Sequence, residues 1–229
     1  MLEFEKDPSV AVVAESDRLD DLPELIKNRI VEATDGKYSH RDGELHVTEL
    51  VYCLRKAYYR RMLEKSNEPA PEMDLQHRWY LYRGILFDED WTGLFERNQV
   101  RVTHRVRGGP TIAGRIDFID GDTVWDLKTI SNGYAVRDGP KPAHVKQVLF
   151  YSWVENMPNA GLIYLHLGGV KIFRLDTRYA EAVVEELEEK ARVLYEALKK
   201  AEPPEPFNEP WECKYCEFRD ICPLAGVRR

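Results

Sequence analysis

Residues 119–129 read IDGDTVWDLKT, and this stretch limits what the chain can fold into more than any other. Asp120-Gly121 is a favoured two-residue hairpin loop, with Gly121-Asp122 the alternative, so the segments on either side should pair as antiparallel strands. Side chains alternate along a strand, which puts Asp126 and Lys128 on one face. In either register Asp117 falls opposite or diagonal to Asp126 on that same face. Two carboxylates and an ammonium therefore converge. Alone, such a group also describes a solvated strand pair, worth under about 1 kcal/mol.

The rest of the chain supplies the layers around that hairpin. DDLPELIKNRIVEA (20–33) has helical spacing, and a second helix is predicted from Thr48, carrying Cys53. Residues 66–73 read as a loop. HRWYLYRGILFDEDWTGLFERN then resumes a helical pattern, with Gly84 as an interruption. In VRVTHRVRGG the valines alternate with Arg101, Arg105 and Arg107, as in a strand with one apolar and one basic face. A helix should open at Pro142, a hairpin should turn at Gly168-Gly169, and a long amphipathic helix should run from about Arg178 to Ala201 before the proline-rich 202–210. The expected architecture is α/β, a mixed central sheet flanked by helices. Its parts are a helical region at 1–65, a core at 66–201 and a C-terminal module at 202–229.

A chain of 229 residues with 43% hydrophobic content can bury a proper core. It has neither the apolar run of a membrane span nor, in MLEFEKDPSV, the pattern of a signal peptide, so no membrane partner is expected and a cytoplasmic address follows. The formal charge of −7 argues against indiscriminate coating of nucleic acid but leaves room for a local basic groove. There is no phosphate loop of the GxxxxGK[ST] type, so the chain carries no ATP motor.

Cys213, Cys216 and Cys222 lie together in CKYCEFRDICP, and Cys53 lies far upstream. Disulfides do not suit a chain without export features. Four thiolates suit Zn2+, although structural zinc commonly uses two paired knuckles; three clustered cysteines plus a distant one, with a trailing Cys-Pro, is a layout of iron-sulfur ligation.

Taken together, VTELVYCLRKAYY (47–59), GRID (114–117), DLK (126–128), QVLFY (147–151) and the terminal CKYCEFRDIC resemble the RecB-like nucleases of the PD-(D/E)xK superfamily, specifically the CRISPR-associated Cas-four family, over nearly all of the chain. Each motif is weak alone; their order and combination are specific. The resemblance implies a restriction-endonuclease-like core stapled by an iron-sulfur cluster, 4Fe-4S rather than 2Fe-2S, held by Cys53, Cys213, Cys216 and Cys222 and joining the N-terminal helix to the C-terminus. Asp117 and Asp126 match the family's metal-binding acids, with Leu127 also counted at the metal, and Lys128 matches its catalytic lysine. Gln147 and Tyr151, four apart on one helical face, match its Q-x-x-x-Y helix and would position substrate. One departure stands out. Where the family often has Gly-x-x-x-His-Glu, this chain has Asp88 in the histidine position, a group that suits a hard cation.

The function implied is a Mg2+- or Mn2+-dependent DNA exonuclease, preferring single strands, that trims DNA ends beside the CRISPR integrase proteins; a homo-oligomer is a further candidate partner. The alternative is a non-catalytic subunit of that complex that holds DNA ends or braces it. DNA contacts are assigned to Arg101, Arg105, Arg107, Arg60 and Arg61. His46, His77, His104, His144 and His166 have no metal-site spacing and read as structural.

Overall fold

The computed structural model describes residues 16–35, 41, 43–68, 72–205, 210–214 and 216–223. The N-terminal decapeptide and parts of the 66–73 and 202–210 loops lie outside these. By packing, the chain divides into two units, residues 1–37 with 73–83 and residues 38–72 with 84–229. In the first, helix α1 (Glu24–Thr34) meets the start of α4 (Leu75–Thr92) where Arg78 donates to Thr34 Oγ1 at 3.1 Å and to Asp35 Oδ1 at 2.6 Å. The second unit carries the sheet.

Its strands are β1 (Glu44–His46), β2 (Arg97–Arg105), β3 (Thr111–Asp120), β4 (Thr123–Thr129), β5 (Asn159–His166) and β6 (Gly169–Leu175). The order is β1-β3-β4-β5-β6, with β2 on the other edge of β3; β1-β3 and β4-β5 are parallel and the remaining pairs antiparallel. The sheet is mixed, as the sequence predicts. The β3-β4 loop is Gly121-Asp122, because Asp120 pairs with Thr123 and Gly121 takes φ +57°. The β5-β6 turn is Leu167-Gly168, one residue earlier than expected: His166 pairs with Gly169.

β4 is apolar on both sides because both faces are covered. Val124 joins the main core with Leu162, Tyr164, α5 (Pro142–Val154) and α6 (Ala180–Lys200), while Trp125 and Leu127 join Phe118, Trp91 and Phe95 in a second cluster. α5 opens at Pro142, whose missing N–H costs nothing in a first turn. α6 buries Val184, Leu187, Ala191 and Leu194 at helical spacing. Gly84 does not interrupt α4, which runs from Leu75 to Thr92; a lone glycine weakens a helix by only about 1 kcal/mol.

The predicted helix around Cys53 is two helices, α2 (Val47–Leu50) and α3 (Leu54–Ser66). A capping box of His46 and Glu49 starts α2, and Cys53, in extended backbone, caps α3 rather than lying inside a helix. That break matters because it frees the Cys53 N–H to donate to Glu212 Oε2 at 2.9 Å.

Candidate nuclease site

β3 forks the sheet. With β2 along one edge, its other edge pairs first with β1 at residues 111–113 and then with β4 at 118–120. Between the two, at 114–117, the strands part. One step beyond the Phe118-Trp125 pair, Asp117 and Asp126 fall opposite each other, and Asp117 Oδ2 accepts the Leu127 N–H at 2.6 Å. The fork thus presents the carboxylates to each other instead of closing the ladder over them.

Asp126 has no exposed surface, and Lys128 Nζ lies 2.5 Å from its Oδ2. Apart from this ion pair, the buried Asp126 oxygens have no hydrogen-bond partner among the described residues. Burial raises Asp126, against the pull of Lys128. Burial and the Asp126 charge push Asp117 up to about 8. Burial acts to lower Lys128, but the charges of Asp126 and Asp117 prevail and hold it above its ordinary value. The lysine side chain retains 24% exposure.

Asp88, on α4, is close enough to bear on both acids; burial raises it, opposed first by a Gln99 hydrogen bond and then by Arg115 and Lys128. Buried carboxylates that repel one another, with Asp126 Oδ1 left without a partner among the described residues, fit a hard divalent cation in donor chemistry and in charge. Among the described residues no three His, Cys, Asp or Glu side chains form a ready-made metal cage. Such a cation would therefore draw on backbone and water as well as on these acids.

Gln147 Nε2 donates to the Tyr151 hydroxyl at 2.9 Å, one helical turn away on α5. Tyr151 is 1% exposed and Gln147 7%, so the pair acts from within the core. Burial and the Asp126 charge keep the phenol protonated by raising it. The ring fills the space above Gly114, where a Cβ would overlap Tyr151. That contact explains the glycine of GRID.

Sequence reasoning missed a second polar group beside Lys128. The buried His144 ring bridges Tyr164 Oη at 2.8 Å and Tyr52 Oη at 3.1 Å, and Tyr164 Oη also accepts the Lys141 N–H at 3.1 Å. Its only sequence signal was the tyrosine-rich run holding Tyr52. Among the other described histidines, His77 pairs with Asp74, His104 with Glu188, and His166 accepts the Gly168 N–H.

The arginines separate into distinct settings. Arg61 grips Glu49 with two contacts of 2.7 and 2.6 Å and the Glu44 carbonyl at 2.9 Å, and Arg60 pairs with Glu217. Arg101 meets Glu44 at 2.6 Å, and Arg105 donates to Thr111 Oγ1 at 3.2 Å. Arg107 is exposed in the turn after β2, not on the strand as its spacing predicted, because β2 ends at Arg105 and Val106 turns inward.

The C-terminal cysteines return to α3. Glu212 bonds Cys53, Glu217 pairs with Lys56 at 2.8 Å as well as with Arg60, and Phe218, 1% exposed, lies against Tyr59 with ring centroids 5.8 Å apart. Cys53, Cys216 and Cys222 are free thiols. Burial raises Cys53 and Cys216, and Cys216 bears on Cys53 through its charge. Cysteine sulfur is the donor an iron-sulfur cluster uses, but among the described residues these side chains form no metal-holding group.

The sequence model of the PD-(D/E)XK nuclease superfamily matches residues 14–223. A CRISPR-associated exonuclease Cas4 of Saccharolobus solfataricus is 25% identical over 207 residues, covering 87% of this chain and 96% of the relative. Among solved structures, SSO0001 superposes with TM-score 0.61 at 19% identity, covering 88% of this chain and 96% of that one. LHK-Exo in complex with dAMP gives 0.53 at 13% identity, covering 69% and 89%. At those identities the structural likeness speaks for the fold alone.

Proposed function

Because the chain belongs to the PD-(D/E)XK nuclease superfamily, we propose that it is a divalent-metal-dependent DNA exonuclease, using Mg2+ or Mn2+, that prefers single-stranded ends and trims DNA during CRISPR spacer acquisition. The observation that carries this reading is the meeting of Asp117, Asp126 and Lys128 in the fork of the sheet. The relative named a CRISPR-associated exonuclease supports the exonuclease and CRISPR parts of this reading; work beside integrase proteins is part of the proposal.

Asp117, Asp126, Leu127 through its carbonyl, and Asp88 would hold the cation. When bound, it supplies charge neutralisation at the phosphate and a more acidic water. Lys128, fixed by Asp126, orients the attacking water and stabilises charge developing on the phosphate. Gln147 and Tyr151 hold the inner wall behind the acids; their burial suits positioning of Asp126 and Lys128 better than contact with DNA. Arg115, near Asp88, and exposed Arg105 and Arg107 are the candidates to meet backbone phosphates. Cys53, Cys213, Cys216 and Cys222 would hold a structural iron-sulfur cluster.

The test is digestion of end-labelled single-stranded and duplex DNA with Mg2+, Mn2+ or chelator, beside Asp126→Ala. Metal-dependent shortening from an end, faster on single strands and lost in the variant, is expected. Equal activity in the variant removes this site from the reaction.

A further inference from the structure

Gln99 is the one strand residue at the site with a left-handed backbone, φ +49°. The β2-β3 ladder pairs Asn98 with Phe118 and Val100 with Ile116, stepping over Gln99 and Asp117, which stand opposite each other. There the alternation of faces slips. Ile116 and Ile119 both join the main core, although they are three apart, while Phe118 joins the cluster on the opposite face. Glycine or asparagine adopts such a conformation readily; a glutamine there is strained, and strain of this kind collects where a function over-determines it.

The side chain supplies the reason to keep glutamine. Its Nε2 donates to Asp88 Oδ1 and Oδ2, both at 3.1 Å, and lies 3.4 Å from Thr92 Oγ1. Thr92 in turn donates to the Asp88 carbonyl at 2.6 Å. One left-handed residue thus stands opposite Asp117 where the faces change, and it turns an amide onto the carboxylate that α4 brings from outside the sheet.

We propose that Gln99 is a positioning residue for the cation site, orienting Asp88 toward Asp117 and Asp126 by straddling its carboxylate. The inference rests on the reading of those three acids as cation ligands. An acceptor-only carboxylate at position 88 matches an amide donor. Partners that orient metal ligands commonly change metal affinity by about 10- to 100-fold when removed.

Gln99→Gly separates the two roles, because glycine accepts the left-handed backbone and lacks only the amide. Mn2+ binding is measured by electron paramagnetic resonance on the parent, Gln99→Gly, Asp88→Ala and Asp126→Ala, with thermal melts in chelator. We expect Gln99→Gly to melt at or above the parent temperature and to bind Mn2+ about tenfold more weakly, and Asp88→Ala with Gln99→Gly to bind no more weakly than Asp88→Ala alone. Parent-like Mn2+ affinity in Gln99→Gly, while Asp126→Ala binds poorly, overturns the role of Gln99 and leaves the cation site standing. Parent-like affinity in Asp126→Ala overturns the cation site itself.

Discussion

The Lys128 ammonium stands 2.5 Å from Asp126 Oδ2, and the carboxylate it faces is fully shielded from solvent. A surface strand pair would exchange freely with water; this one is held, with 24% of the lysine side chain exposed and none of the aspartate. Lys128→Ala should lower nuclease activity at least about 100-fold. Its cost in stability should stay at or below about 3–5 kcal/mol, since Asp126, already raised by burial, can take up a proton instead of remaining an unpaired buried charge. DNA digestion and denaturant melts check both. Activity near the parent rate removes the lysine from the mechanism.

A second expectation separates arginines that serve DNA from those that serve the fold. Arg61 is 11% exposed on its side chain and chelates Glu49, so Arg61→Ala should lower stability by about 1–3 kcal/mol and leave the salt dependence of DNA binding unchanged. Joint replacement of Arg101, Arg105 and Arg107 should do the reverse, reducing the slope of log affinity against log salt by up to about one per lost phosphate contact. Arg101 already has Glu44 as a partner, so its share should be the smallest. An unchanged slope in the triple variant moves the DNA path to Arg115 and the mouth of the fork.

The hairpin carrying Asp126 and Lys128 was legible because alternation and turn chemistry are local, and β4 keeps strict alternation between two covered faces. What lay outside the sequence's reach was the fork. Nothing in GRIDFID says that pairing skips Asp117, whose opposite number, Gln99 in another strand, takes a conformation that glutamine rarely adopts. Cys53 was placed inside a helix because VTELVYCLRKAYY has unbroken helical spacing; the break at residues 51–53 comes with a hydrogen bond to Glu212, far along the chain. Gly114 needed Tyr151 above it before its role could be read.

His144 gives an expectation with a sign. Burial, with Lys128 and Lys141 nearby, lowers it to about 3, against about 6.5 in an unfolded chain, while Tyr52 and Tyr164 flank the ring as neutral partners. Between these values the unfolded state binds the proton and the folded state does not. The stability contributed by neutral His144 is therefore complete above about pH 6.5 and is lost as pH falls toward 3, at up to about 1.4 kcal/mol per pH unit. Asp117 and Asp126, both raised, act in the opposite direction, so the informative quantity is the difference between parent and His144→Gln. The variant should lose less stability on going from pH 7 to pH 4.5. Parallel stability curves would mean that His144 accepts a proton without leaving its two tyrosines.

The C-terminal segment raises the question of how much a cluster adds to docking that the polypeptide already achieves. A cross-link over ~100 residues restrains the unfolded chain by about 4–5 kcal/mol on the disulfide model, and a cluster joining Cys53 to residues 213–222 would close a longer loop than that. Yet Phe218 against Tyr59, Glu217 on Lys56 and Arg60, and Glu212 on the Cys53 N–H hold the same segment without metal. The two contributions separate by mutation. In protein purified without oxygen, Cys53→Ser should lose iron and visible absorbance and lower the melting temperature, with the segment still docked. Phe218→Ala should lower stability by about 3–5 kcal/mol while keeping iron, because the thiolates remain. Iron and sulfide analysis beside the melts distinguishes them: a full complement of iron and an unchanged melting temperature in Cys53→Ser would show that Cys53 is no ligand, leaving Glu212, Glu217 and Phe218 to tie the C-terminal segment to α3.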